Sequence, residues 1–268
     1  MSVLSRNNVQ LSGNGTQPML FAHGFGCDQG MWRFVAPSFQ ADHQVVLFDH
    51  VGAGSSDASA YRRAKYASLS GYADDILEIC HELDLRDVIF VGHSVSAMIG
   101  VLAAVKEPAL FHSLILIAPS PRYIHDVDYV GGFSQGDIDG LLELLDSNYM
   151  TWASMLGPTI MGNSDRPALA SELTASFCRT NPEIARHFAR VTFLSDNRAD
   201  LPKVQTPSLI LQCSQDAIAP EVVGAYMHQH LKGSQLVQLQ ATGHCPNLSA
   251  PEETVAAIQR FLRSLEQA

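Results

Sequence analysis

Basic stretches, long apolar runs and patterned cysteines are all missing from this 268-residue chain. Lys and Arg total 17 against 27 Asp and Glu, giving a net charge of −10. A surface of that sign repels phosphate, so no nucleic acid partner is expected. No charge-free apolar stretch approaches the 18 residues a membrane-spanning helix needs, so no membrane partner is expected either. The cysteines (Cys27, Cys80, Cys178, Cys213, Cys245) are odd in number and show no C-x-x-C spacing. With an opening (Met1-Ser2-Val3-Leu4-Ser5-Arg6) unlike a secretory signal, they predict a reducing, cytoplasmic setting. Eleven histidines form no H-E-x-x-H or clustered Cys/His pattern, which predicts no metal. Gly52-Ala53-Gly54 and Gly24-Phe25-Gly26 each lack the third glycine of a dinucleotide loop, having Asp57 and Gln29 there, so no cofactor is predicted.

With 46% hydrophobic and 16% charged residues, the chain can bury one large core. Strand-like runs end at Ala22, Phe48, Gly92, Ala118, Cys213 and Leu239, with helical patterns between several of them. Such alternation implies an α/β fold with a mostly parallel sheet flanked by helices. Between 120 and 200 it gives way to four amphipathic helices, near Ile138–Leu145, Tyr149–Leu156, Leu169–Phe177 and Ile184–Leu194. Residues 120–200 are therefore expected to form an inserted helical lid on a core made of 1–119 and 201–268.

The most informative local pattern is Gly92-His93-Ser94-Val95-Ser96, which follows the apolar run Val88-Ile89-Phe90-Val91. A serine on a tight turn from strand to helix projects its hydroxyl and faces the free amides of the helix N-terminus. The last motif position holds Ser96 instead of glycine. The requirement there is smallness, which serine meets. Asp216 lies beyond one strand-like run and His244, in Ala241-Thr242-Gly243-His244, beyond the next, so acid and base follow the serine in chain order. Ser94 is then the candidate nucleophile, His244 its base and Asp216 the acid that orients His244. His23-Gly24-Phe25-Gly26 closes an earlier strand-like run. The backbone N–H groups of Phe25 and Val95 are the candidate oxyanion hole. His23 itself reads as a core histidine, Asp49 as a turn carboxylate and Cys245 as packing. Phe25, Tyr123, Phe133, Trp152, Leu156 and Phe193 are the candidate pocket residues, and with no Lys between 120 and 200 they predict a small, uncharged, hydrophobic ligand.

Together His23-Gly24-Phe25-Gly26, Asp49-His50-Val51-Gly52-Ala53-Gly54-Ser55, Gly92-His93-Ser94-Val95-Ser96-Ala97-Met98 and Gly243-His244 resemble the RsbQ-type α/β-hydrolases. That group includes the bacterial regulator RsbQ and the plant strigolactone and karrikin receptors, and the similarity runs nearly end to end. The plant receptors are similar even at Ser96. The resemblance implies an α/β-hydrolase fold, a Ser94, Asp216 and His244 triad, a four-helix lid over an apolar pocket, and hydrolysis of a small hydrophobic ester or lactone. It also implies the alternative of a receptor whose ligand-bound or acylated state is read by a regulatory protein at the lid. A haloalkane dehalogenase would need aspartate where Ser94 stands, whereas haloperoxidase and carbon-carbon hydrolase chemistry use the same triad.

Overall fold

A strand covered on both faces must be apolar throughout, and Val88-Ile89-Phe90-Val91 meets that demand at the middle of the sheet. A computed structural model describes residues 2–267. Its strands are β1 (Gln10–Ser12), β2 (Gln17–Ala22), β3 (His43–Leu47), β4 (Val88–His93), β5 (Phe111–Ile117), β6 (Ser208–Ser214) and β7 (Ser234–Thr242). They form one seven-stranded sheet in the order β1-β3-β2-β4-β5-β6-β7. Only β1 pairs antiparallel; the other neighbours are parallel.

The helices are α1 (Val3–Arg6), α2 (Leu69–Glu82), α3 (Val95–Lys106), α4 (Gln135–Ser147), α5 (Tyr149–Met161), α6 (Pro167–Arg179), α7 (Pro182–Phe193), α8 (Glu221–His230), α9 (Pro246–Ser249) and α10 (Pro251–Leu265). Alternate residues of β4 enter separate cores, as the period of a strand requires. Val88 and Phe90 pack with α2 and α3, and Ile89 and Val91 with the group that includes Ala257 and Phe261 of α10. The latter core continues into the inserted helices through Ile138, Leu142, Trp152, Leu173, Phe177 and Phe193. Helices α4 to α7 all fall between β5 and β6. Their starts follow capping chemistry: Ser134 and Asp137 form a reciprocal capping box on α4, and Asn181 precedes Pro182 at the first position of α7.

Three details depart from the sequence-based expectation. Strand β1 was not anticipated, because three residues are too short to show a period. Strand β7 runs on past Leu239 to Thr242. Helix α5 continues past Leu156 to Met161, with Pro158 inside it, so the proline does not end the helix as its missing N–H would suggest. Among the described residues no helix is long and apolar enough to cross a membrane.

Candidate active site

Three parallel strands, β4, β6 and β7, deliver the chemistry to one edge. At the end of β4 the chain turns into α3 through Ser94, whose φ of 56° and ψ of −122° are costly for a residue with a side chain. Two features hold it there. The Ser94 N–H donates to the Ile117 carbonyl at 2.8 Å. Gly92 leaves room for the turn, since a Cβ there would lie 2.6 Å from the Ser96 carbonyl oxygen.

Asp216 follows β6. Its Oδ1 accepts the N–H groups of Ile218 at 2.8 Å and Ala219 at 3.1 Å, which orients the carboxylate. His244 follows β7. Gly243, at φ +78°, lets that loop press on the end of α5, where a Cβ would meet the Met161 carbonyl at 2.0 Å. The His244 N–H also donates to the Ile160 carbonyl at 2.9 Å.

These restraints bring the three side chains into one line. His244 Nδ1 lies 2.7 Å from Asp216 Oδ2, and His244 Nε2 lies 2.7 Å from Ser94 Oγ. The carboxylate can only accept, so Nδ1 carries the proton and Nε2 is free to accept from the serine hydroxyl. All three are buried. A base aimed at the hydroxyl, itself oriented by an acid, is the arrangement that makes an alcohol nucleophilic.

His93, just before the serine, donates from Nε2 to the His244 carbonyl at 2.7 Å. Burial, and then the neighbouring His244, push its pKa down to about 3, so the ring is neutral. His23 is fully enclosed: Nδ1 donates to the Gly24 carbonyl at 2.9 Å and Nε2 accepts the His50 N–H at 3.0 Å. Asp49 accepts from the N–H groups of Gln29 and Ser55, the turn role read for it from sequence. Val95 is the first residue of α3, so its N–H has no partner within the helix. Among the described residues the Phe25 N–H also makes no hydrogen bond.

A cavity of about 30 Å³ adjoins Ser94 and His244. Of the six residues predicted to line a pocket, Phe25, Tyr123 and Phe193 do so, whereas Phe133, Trp152 and Leu156 do not. Trp152 stands behind Phe25, its ring edge-on at 5.8 Å, and so forms the next layer out. Phe133 is drawn off by a bridge to Ile124, and Leu156 packs against the core only in part. The remaining wall includes Cys27, Ile160, Phe177, Thr192, Ile218 and Cys245. Two of these had an available signal, since Cys27 and Cys245 stand close in sequence to Phe25 and His244. Burial pushes the Cys27 thiol up to about 12 and the Cys245 thiol well above its usual value. Both stay protonated, leaving Ser94 as the group with a base attached. A wider, open groove of about 680 Å³ between α5 and α6 includes none of the residues that meet at Ser94. Among the described residues no group of three or more His, Cys, Asp or Glu is placed to hold a metal.

The family profile described as "Alpha/beta hydrolase family" matches residues 19–258. Karrikin insensitive 2 receptor CA of Petunia hybrida is 39% identical over 257 residues, covering 96% of this chain and 95% of that protein. A strigolactone esterase of Arabidopsis thaliana is 37% identical over 262 residues, covering 97% and 98%. Among solved structures, a hydrolase from Oleispira antarctica matches with a TM-score of 0.95 at 41% identity, covering 97% of this chain and 96% of that one.

Proposed function

This chain belongs to the alpha/beta hydrolase family, and from that premise we propose that it is a serine hydrolase cleaving a small hydrophobic ester or lactone. The observation that carries the reading is the unbroken line from Asp216 through His244 to Ser94, with 2.7 Å at each step. Ser94 Oγ attacks the carbonyl carbon while its proton passes to His244 Nε2, and Asp216 stabilises the imidazolium. The carbonyl oxygen becomes an oxyanion held by the N–H groups of Phe25 and Val95. Collapse breaks the carbon-oxygen bond, and the leaving oxygen takes the proton from His244. Water, activated by the same imidazole, then releases the acid from Ser94. The mostly apolar wall favours an uncharged ligand. Residues 120–200 serve as the lid over the site, and the five free thiols suit a reducing compartment such as the cytoplasm.

One observation favours a second role, that of a ligand receptor. The cavity of about 30 Å³ is far below the roughly 300–1,000 Å³ of sites that hold a small molecule, so ligand entry requires the inserted helices to move. Such a movement is a signal that a regulatory protein at the lid surface would read, and a relative of this chain carries the name of a receptor.

The test is hydrolysis of a short-chain chromogenic ester by the wild type and Ser94→Ala, with intact mass recorded. A Ser94-dependent acyl adduct with sustained turnover supports the hydrolase. A burst that stalls near one equivalent supports the receptor. Undiminished hydrolysis by Ser94→Ala would rule out the proposed nucleophile.

A further inference from the structure

We propose that Ser96, standing where the elbow motif ordinarily has glycine, is a positioning residue for the oxyanion donor at Phe25; the inference rests on the serine-hydrolase reading above. Ser96 is fully enclosed. Its Oγ donates to the His23 carbonyl at 2.5 Å and lies 2.8 Å from His50 Nε2. A hydroxyl has one proton, and a carbonyl can only accept, so His50 Nε2 must be the donor to Ser96. The His50 N–H in turn donates to His23 Nε2, which leaves the His23 proton on Nδ1, where it is given to the Gly24 carbonyl.

The Gly24 carbonyl and the Phe25 N–H are opposite ends of one planar peptide. Holding the oxygen therefore aims the N–H. The His23 carbonyl belongs to the preceding peptide, so two successive planes are tied, the first by Ser96 Oγ and the second by His23 Nδ1. Between them lies Gly24, whose backbone would otherwise be the freest in the loop. Ser96 sits in the first turn of α3, one residue after Val95, the other proposed donor. Its hydroxyl thus fastens the loop bearing one donor to the helix bearing the other, and fixes the spacing between them. A glycine at 96 would remove that tie and leave the His23 carbonyl and His50 Nε2 without this partner.

The prediction runs against the motif: Ser96→Gly completes G-x-S-x-G and yet slows the enzyme. The experiment compares wild type, Ser96→Gly, Ser96→Ala and Ser94→Ala in single-turnover acylation by p-nitrophenyl acetate, normalised to reactive Ser94 by titration with a fluorophosphonate. KM and the affinity for phenylboronic acid, which adds to a serine hydroxyl as a tetrahedral mimic, are measured alongside. Acylation is expected to fall about tenfold or more in both Ser96 variants, because a small misplacement of a donor costs much of its effect. KM should stay within about twofold, since the ground state uses the hole little, and boronate affinity should fall in step with the rate. Ser96→Ala keeps a Cβ and favours the helix, so it carries the test if the glycine variant does not fold. Acylation within about twofold of wild type, or a slower rate with unchanged boronate affinity, overturns the role of Ser96 while inactive Ser94→Ala leaves the hydrolase reading standing. Active Ser94→Ala overturns both.

Discussion

Acid should unfold this protein by charging His93. The ring is held neutral, with its pKa pushed down to about 3 against an ordinary 6.5. Because the folded value is depressed, the unfolded chain takes up a proton below about pH 6.5 that the folded chain refuses. The stability from this group is complete above pH 6.5 and is lost as pH falls towards 3. At pH 5 the loss is RT ln(1 + 10^1.5), about 2 kcal/mol, and below pH 3 it levels off near about 5 kcal/mol. Against a total of roughly 5–15 kcal/mol, either is a large fraction. Urea unfolding followed by fluorescence of the buried Trp32 and Trp152 measures it at pH 7 and pH 5. His93→Gln keeps a donor within reach of the His244 carbonyl but cannot titrate. Whatever the variant costs at pH 7, it should lose about 2 kcal/mol less than wild type on going to pH 5. His50, also buried and held well below 6.5, remains in both proteins and cancels in the comparison. Equal losses in the two proteins would refute the reasoning.

Three further substitutions have defined outcomes. Asp216→Asn should keep the fold but lower kcat by about 10³–10⁴, since an amide beside Nδ1 moves the imidazole proton to Nε2, where Ser94 needs an acceptor; steady-state ester hydrolysis checks it. Phe25→Ala should raise KM more than it lowers kcat, because the ring against Phe177 and Phe193 is lost while the backbone N–H remains; a fall in kcat alone would contradict this. Gly26→Ala should lower stability by about 2 kcal/mol or more, as φ is +70° and the new Cβ would lie 2.1 Å from Phe177 Cδ1; a thermal melt unchanged from wild type would contradict it.

The convergence of Ser94, Asp216 and His244 was legible because each residue follows a strand-like run, apolar before Ser94 and alternating before His244, and parallel strands release their ends at one edge. Short-range chemistry was legible too, as in the Asn181-Pro182 start of α7. What escaped was depth. Periodicity says which face of a helix is buried but not how many layers cover it, so Trp152 of α5 was read as wall when Phe25 stands in front of it. The role of Ser96 was equally hidden, since its partners His23 and His50 lie 73 and 46 residues away. Edge strand β1 left no trace because three residues complete no pattern.

The smallness of the cavity has a kinetic meaning. Phe25 touches Trp152, Phe177, Phe188 and Phe193, so making room for a ligand separates aromatic rings already in contact. The binding-competent form is then a minor population, and apparent affinity is diluted by the fraction that is open. Ligand capture would obey a speed limit set by the protein: the observed association rate climbs with concentration and then levels off at the rate of opening. Substitutions of Trp152 or Phe188, which stand outside the cavity wall, would weaken the ring cluster, raise that plateau and loosen selectivity by size together.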